Sequence, residues 1–187
     1  GEVLAKGPGV MIGYFNRPME TESSLDKEGW YHTGDRGEFT EDGFLKLKGR
    51  IKELFKTAGG KYVAPVPIES ELVSSHPLVD MAMVIADNRK YTACILVPDF
   101  EKISDVKKSM SLDYMSHAEF LDSPQLREII QKKIDLINAN LNHWEQIRNF
   151  TFLSSPLTTE GEELTPTMKI RRHIVESKYK DQIDSLF

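Results

Sequence analysis

The chain of 187 residues carries 24 lysines and arginines against 29 aspartates and glutamates, and this formal net charge of −5 argues against a dedicated nucleic-acid binder. Its longest uninterrupted apolar run, 81–86, has six residues, far short of the roughly 20 that a membrane-spanning helix needs. A single cysteine, Cys94, excludes an internal disulfide and a multi-cysteine metal site, so we expect a soluble, cytoplasmic protein.

The first fifty residues are predicted to form short elements separated by turns. The chain opens on Gly1 and passes at once into a strand-like stretch, 2–6, whereas a native terminus usually has a few slack residues first, so we expect an excised fragment. Apolar and polar residues then alternate around the turn Asp42-Gly43, which predicts a two-stranded ribbon over 36–48. The apolar positions of this ribbon are Phe39, Leu45 and Leu47.

Four short strands are predicted in the middle of the chain, and they cover 51–57, 61–64, 79–86 and 91–97. The last two are apolar and partly β-branched on either side of a polar turn, which favours an antiparallel pair buried on at least one face. Cys94 lies in the last strand, where we expect a buried small hydrophobe rather than a nucleophile. Pro67 suits the first turn of a helix that stops before Pro77.

The remaining residues are predicted to be mainly helical. Ser123 and Pro124 form an N-cap followed by a first-turn proline. The apolar stripe of the helix that follows consists of Leu126, Ile129, Ile130, Ile137 and Leu141. Three further elements are predicted: a strand over 147–153, a polar surface loop over 154–163 and a helix from about Ile170. The whole pattern predicts an α+β chain with a small mixed β-sheet and flanking helices.

An acid and a guanidinium occupy corresponding ends of the predicted ribbon. The segment 29–35 puts Asp35 at the tip of a tight turn, where a carboxylate can accept two hydrogen bonds from adjacent ribose hydroxyls. Folding the ribbon back brings Arg50 close to Asp35. An acid for sugar hydroxyls beside a guanidinium for sugar or phosphate suits a nucleotide. The alternative is a solvated turn aspartate with a structural salt bridge.

A second candidate is the segment 164–172, in which Lys169 follows a proline-stiffened loop and precedes a helix. A lysine in this position presents a compact point charge with three donors, which suits a carboxylate meeting a phosphate. The cations Lys169, Arg171 and Arg172 are unfavourable at a helix N-terminus without an anionic partner, because the helix dipole is positive there. The alternative is a basic, solvent-facing helix start.

A third candidate is the segment 49–69, which contains the paired glycines Gly59-Gly60. Paired glycines let a backbone approach a ligand closely, or they serve a loop that needs positive φ. The composition changes at Lys52, which indicates a polar hinge. The five histidines show no metal-ligand spacing, so no metal site is predicted in this chain.

In this order and spacing the three segments resemble the acyl-adenylate-forming superfamily, which includes acyl-CoA synthetases and the adenylation domains of peptide synthetases. The segment 30–35 is similar to its ribose-binding motif, and 49–52 is similar to its hinge motif. Gly59-Gly60 resembles its pantetheine-contacting loop, and 165–172 resembles its C-terminal lysine motif. The segments that resemble long-chain fatty-acid–CoA ligases most are 59–65, 144–148 and 164–167.

The resemblance implies a two-step reaction. A fatty acid and MgATP give an acyl-adenylate and pyrophosphate, and the CoA thiolate then displaces AMP. By resemblance, Asp35 holds the ribose hydroxyls of ATP or AMP, and Arg50 contacts the nucleotide. Lys169 is then the catalytic residue, bridging the fatty carboxylate and the α-phosphate oxygens in the first step only. Many members have glycine immediately before this lysine, whereas this chain has Met168.

The resemblance also implies a domain movement. Lys52 would be the hinge about which a small domain turns, so that the Gly59-Gly60 loop replaces Lys169 in the active site. Lys61, beside that loop, would meet a phosphate of ATP or CoA.

The same resemblance predicts a large missing part. We find no phosphate loop ending in Pro-Lys and no Tyr-Gly-x-Thr-Glu segment, which supply the triphosphate and Mg²⁺ contacts in this superfamily. We therefore expect 1–51 to be the end of the large adenylation domain and 52–187 to be the mobile lid domain. ATP, CoA and Mg²⁺ would be cofactors of a parent ligase whose missing N-terminal domain binds the metal in cis, and the fragment alone would be inactive.

Two alternatives stay open at this stage. One is an adenylating ligase for another carboxylic acid, and the other is a non-catalytic module that binds CoA or a nucleotide. Peripheral association with a membrane is also left open.

Overall fold

The computed structural model describes all 187 residues apart from the side chains of Lys48 and Lys52. The chain divides into two units, Gly1–Leu54 and Phe55–Phe187. The hinge predicted at Lys52 concerns a side chain outside the described part of the molecule. The domain boundary predicted between residues 51 and 52 stays a prediction.

The unit Gly1–Leu54 contains a three-stranded antiparallel sheet. Its elements are β1 (Glu2–Ala5), α1 (Pro18–Ser24), β2 (Tyr31–Phe39), β3 (Leu45–Arg50) and a 3-10 turn (Ile51–Glu53). The strand order is β1-β2-β3. The predicted ribbon is confirmed, because Phe39 pairs with Leu45 across a turn in which Gly43 has a φ of 83°. The ribbon is longer than predicted, since the pairing continues to Asp35 and Arg50.

The unit Phe55–Phe187 combines a mixed sheet with helices. Its elements are β4 (Phe55–Lys56), β5 (Tyr62–Val63), α2 (Pro65–Ser75), β6 (Val79–Ile85), β7 (Thr92–Pro98), α3 (Ile103–Ser109), α4 (His117–Leu121), α5 (Pro124–Asn138), β8 (Ile147–Phe152), α6 (Arg172–Lys178) and α7 (Lys180–Asp184). Strands β6 and β7 are antiparallel, as predicted, and β8 joins β7 in parallel. Strands β4 and β5 form a separate hairpin. The predicted α+β class, with a small mixed sheet and flanking helices, is confirmed.

Strand β7 is buried along its whole length, and its alternate side chains join opposite cores. Cys94 and Leu96 belong to a core with α2 and α5, whereas Ile95 and Val97 belong to a core with α6 and α7. Burial on both faces explains why this strand is a continuous apolar run rather than an alternating one. Cys94 is buried as predicted, and this burial raises the pKa of its thiol.

Helix α5 begins as the sequence predicts. Ser123 Oγ accepts the Leu126 N–H at 3.3 Å, and Pro124 occupies the first turn, where its missing N–H costs nothing. The buried face of the helix consists of Leu126, Ile130, Ile134 and Ile137.

Three predicted elements are wrong in extent. The strand predicted over 51–57 is reduced to β4, because Ile51–Glu53 forms a 3-10 turn. The strand predicted over 61–64 is likewise reduced to β5. Helix α2 begins at Pro65 rather than Pro67, because Pro65 already has a helix-compatible φ and needs no N–H partner in the first turn.

The helix predicted from Ile170 is two short helices, α6 and α7, which meet at Tyr179. The φ of −108° and ψ of 27° of Tyr179 are not helical. Apolar Val175, Tyr179 and Ile183 keep a four-residue spacing across the break, so the hydrophobic period does not reveal it.

The loop predicted as a polar surface segment, 154–163, ends in a buried acid. The side chain of Glu163 is 1% exposed. Its carboxylate pairs with the Lys178 ammonium and accepts the Thr158 N–H at 3.1 Å. These partners compensate the cost of burying the charge.

Candidate functional site

The acid and the guanidinium predicted to bind a nucleotide meet at the end of the ribbon of β2 and β3. Asp35 and Arg50 are cross-strand partners, and Arg50 Nε lies 3.2 Å from Asp35 Oδ1. Arg50 Nη2 also donates to the Thr33 carbonyl at 3.3 Å. The side chain of Arg50 is 59% exposed and that of Asp35 is 35% exposed. Both therefore keep polar surface that a ligand can reach.

Asp35 lies within strand β2 and not, as predicted, at the tip of a tight turn, because the residues on either side of it pair with β1. Strand β1 also fixes the backbone around Asp35. Thr33 Oγ1 donates to a β1 carbonyl at 2.7 Å and accepts the Asp35 N–H at 3.0 Å. One carboxylate oxygen of Glu2 accepts the Gly34 N–H at 3.1 Å, and the other lies 3.0 Å from His32 Nδ1. The hydrogen bond with His32 is the main cause that lowers the pKa of Glu2. Sequence reasoning missed Glu2 and His32, because their pairing joins residues 30 positions apart.

Lys169 closes a tight turn over 165–169. The Thr165 N–H donates to the Lys169 carbonyl at 2.8 Å, and the Lys169 N–H donates to Thr165 Oγ1 at 3.0 Å. Met168 has a φ of 61°, the left-handed conformation that glycine adopts without a steric penalty. This conformation gives a physical reason why many enzymes that the chain resembles have glycine at this point.

The ammonium of Lys169 is available for a ligand. The residue is exposed, and among the side chains that the structure describes its ammonium has neither an ion-pair nor a hydrogen-bond partner. A lysine locked by internal partners would be unable to act on a substrate. The geometry of the turn therefore leaves the predicted catalytic role open to Lys169.

The neighbouring Arg172 has a partner within the chain. Arg172 Nη2 donates to both carboxylate oxygens of Glu69, at 2.7 and 2.6 Å. The anionic partner that the basic helix start is expected to need is therefore present for Arg172, and it comes from α2 within the chain. The sequence gives no signal for this pair, because its members lie 103 residues apart.

Gly59 and Gly60 form the exposed turn between β4 and β5. Gly60 has a φ of 76°, so the fold itself favours glycine there. Gly59 has no such φ, and a Cβ atom at this position meets nothing nearer than Thr57 Oγ1 at 3.9 Å. The turn conformation therefore accounts for the glycine at position 60. The open space at Gly59 allows a ligand to approach the backbone closely.

Lys61 follows this turn and lies over an aromatic ring. Its ammonium is 5.0 Å from the centroid of the Trp144 ring, and the indole N–H donates to the Tyr62 carbonyl at 3.2 Å. A cation–π contact holds the charge beside the glycine turn while its N–H donors stay available to a phosphate.

The predicted site residues fall into both units of the chain. Asp35 and Arg50 lie together in Gly1–Leu54, and the unit Phe55–Phe187 contains Gly59, Gly60, Lys61 and Lys169. Within the described side chains, no group of three or more His, Cys, Asp or Glu residues is placed to hold a metal ion. None of the described helices combines the length and the apolar character that crossing a bilayer requires.

The unit Phe55–Phe187 thus combines a small mixed sheet between helices with a lysine turn and a glycine turn. The family model described as AMP-binding enzyme C-terminal domain matches residues 53–187. The chain belongs to this family.

Curated relatives are longer than this chain. The long-chain-fatty-acid–CoA ligase FadD15 of Mycobacterium tuberculosis is 36% identical over 189 residues, which cover 100% of this chain and 31% of that protein. The chain spans about a third of the length of the curated relatives it matches.

Solved structures of adenylating enzymes share the fold. The A domain of a carboxylic acid reductase from Segniliparus rugosus, in complex with AMP and a co-purified carboxylic acid, has a TM-score of 0.74 at 25% identity, over 100% of this chain and 28% of that one. An o-succinylbenzoate CoA synthetase from Bacillus subtilis, in complex with ATP and a magnesium ion, has a TM-score of 0.59 at 27% identity, over 92% of this chain and 30% of that one. Related structures therefore bind AMP, or ATP with Mg²⁺.

Proposed function

We propose that this chain is the C-terminal part of a long-chain fatty-acid–CoA ligase. Membership of the AMP-binding enzyme C-terminal domain family supports the adenylating chemistry, and the 36% identity to FadD15 supports a long-chain fatty acid as the substrate. The parent would use ATP and CoA, and Mg²⁺ would be held by the part of the protein outside these residues. The 187 residues alone would be inactive.

The observation that carries this proposal is the exposed ammonium of Lys169, which has no partner among the described side chains. In the first step a carboxylate oxygen of the fatty acid attacks the α-phosphorus of ATP, and the bond to the leaving pyrophosphate breaks. Negative charge moves from the carboxylate to the phosphate oxygens. A compact ammonium placed between these groups stabilises the charge during its transfer.

The other site residues have roles in binding. Asp35 would accept hydrogen bonds from the ribose hydroxyls, and Arg50, whose Nε lies 3.2 Å from Asp35 Oδ1, would both orient this acid and contact the nucleotide. In the second step the CoA sulfur attacks the acyl carbon, AMP leaves, and the thiol proton passes to solvent. The backbone at Gly59 would lie against the pantetheine arm, with Lys61 beside a CoA phosphate. Lys52 would be the hinge between the two steps.

The test uses the full-length protein that carries this chain. Its coding sequence upstream of Gly1 should contain a phosphate loop ending in Pro-Lys and a Tyr-Gly-x-Thr-Glu segment. The purified protein should form acyl-CoA from ATP, CoA and a long-chain fatty acid, detected by mass spectrometry, and should be much less active with acetate or an aromatic acid.

Three results would contradict parts of this proposal. Equal or better activity with short or aromatic acids would assign the chain to a ligase for another carboxylic acid. The absence of any acyl-AMP would indicate a binding module. Acyl-AMP formed by the isolated 187 residues, above the level of a Lys169→Ala variant, would show that the fragment is not inactive.

A further inference from the structure

The guanidinium of Arg172 connects the lysine turn to the rest of the unit Phe55–Phe187. Arg172 is the first residue of α6 and follows Lys169 by three positions. Besides its two hydrogen bonds to Glu69, it donates from Nη1 to the Val84 carbonyl at 3.2 Å. Glu69 also accepts the Val84 N–H at 2.7 Å. Helix α2, strand β6 and helix α6 therefore meet at a single ion pair.

The surroundings of this pair restrict its movement. The side chain of Glu69 is 14% exposed and that of Arg172 is 27% exposed. The guanidinium also lies 5.2 Å from the centroid of the Phe55 ring. A planar guanidinium held by a carboxylate, a carbonyl and a ring face has little rotational freedom. A lysine ammonium at the same position could make only some of these contacts at once.

The lysine turn is anchored at its base. Leu164 and Ile170 form an antiparallel bridge below it, and the Arg171 N–H donates to the Glu163 carbonyl at 2.7 Å. The chain then enters α6 at Arg172. These contacts fix the base of the turn, and Arg172, the next residue along the chain, joins this base to α2 and β6.

We infer that Arg172, held by Glu69, is a positioning residue that orients the turn 165–169 and with it the ammonium of Lys169. This inference rests on the proposed function, because it gives Arg172 a part in acyl-AMP formation. Arg172 itself does not touch the substrates. A misplacement of Lys169 by about 1 Å can cost on the order of 10² in rate. Losing some of the hydrogen bonds of the Arg172 guanidinium should therefore slow the first step strongly.

The experiment measures the two half-reactions of the full-length protein separately. Pyrophosphate release reports acyl-AMP formation, and thioester formation from supplied acyl-AMP and CoA reports the second step, in which Lys169 has no role. Arg172→Lys should lower kcat of the first half-reaction about tenfold or more, leave KM for ATP within about twofold, and leave the second half-reaction within about twofold.

The chain offers a matched control at another arginine–carboxylate pair. Arg89 Nη2 donates to Asp184 Oδ1 at 2.7 Å, and both side chains are about one third exposed, at 35% and 37%. Arg89→Lys should change neither half-reaction more than about twofold. If Arg172→Lys does not fold, Glu69→Gln serves as the test variant instead. Its amide oxygen can still accept the Val84 N–H, while the negative charge that pairs with Arg172 is removed.

Each outcome decides the inference. A selective loss in the first half-reaction supports it. An unchanged first half-reaction overturns it, and so does a parallel loss in both half-reactions, which would show a purely structural role. Lys169→Ala separates the two proposals: if Lys169→Ala keeps the first half-reaction, the proposed role of Lys169 fails. If Lys169→Ala loses the first half-reaction but Arg172→Lys does not, only the positioning role fails.

Discussion

Replacing Arg172 with methionine tests how much the ion pair with Glu69 contributes to the stability of the chain. The replacement keeps an apolar stem of similar length and removes every guanidinium hydrogen bond. Glu69 then keeps the Val84 N–H as its remaining partner among the described residues. We expect the isolated chain to be clearly destabilised, because a charge that is mostly withdrawn from water loses its counter-ion.

The exposure of the two side chains sets the expected magnitude. Removing one partner of a fully buried pair costs about 3–5 kcal/mol, whereas exposed pairs contribute less than about 1 kcal/mol. Glu69 is 14% exposed and Arg172 is 27% exposed, so the pair is closer to the buried limit. We expect a loss of about 2–3 kcal/mol in the free energy of unfolding, equivalent to a fall of about 10 °C in Tm for a unit of this size.

The assay is urea denaturation of the 187-residue chain followed by circular dichroism, with Arg172→Met, Glu69→Gln and the double variant. The double variant should cost about 2 kcal/mol less than the sum of the single variants, because it removes the unpaired charge. Arg89→Met is the control at the more exposed pair and should cost about 1 kcal/mol or less. A loss below about 1 kcal/mol for Arg172→Met would refute the reasoning, since the carboxylate would then be as well solvated as a surface group.

Three further predictions concern the glycine turn, the buried acid and the nucleotide site. Gly60→Ala should destabilise the chain by about 1 kcal/mol, because Gly60 has a φ of 76°. Gly59→Ala should leave the stability unchanged but slow thioester formation from supplied acyl-AMP and CoA. An unaffected rate for Gly59→Ala would exclude close approach of CoA to this backbone. The Lys178 ammonium holds the pKa of Glu163 below its ordinary value of 4.5. Denaturation at decreasing pH should therefore show stability that is present above this value and lost below it, and Glu163→Gln should remove that dependence. Asp35→Asn in the full-length protein should raise KM for ATP about tenfold or more, and an unchanged KM would favour a purely structural salt bridge.

Much of the fold follows from local patterns in the sequence. The hairpin of β2 and β3 is predicted by an Asp-Gly turn with alternating flanks, and its geometry also predicts that Asp35 meets Arg50. The strands β6 and β7 follow from their apolar, β-branched composition. Helix α5 follows from its serine cap. In each case the signal lies within the element or next to it.

The features that the sequence does not predict depend on distant contacts or on unusual conformations. Glu69 reaches Arg172 across 103 residues, and no periodicity marks either one. Glu163 is buried in a stretch whose composition is typical of a surface loop, because Lys178 lies within its reach. Met168 has a positive φ that its residue type does not indicate.

The most direct test of this account is the rate of acyl-AMP formation by the full-length protein with Lys169→Ala, compared with Lys108→Ala at an exposed lysine of α3. The account predicts that Lys169→Ala slows this step about 10²–10³-fold, that it leaves thioester formation from supplied acyl-AMP nearly unchanged, and that Lys108→Ala changes neither. Acyl-AMP formation by Lys169→Ala at the rate of the unmodified protein would contradict it.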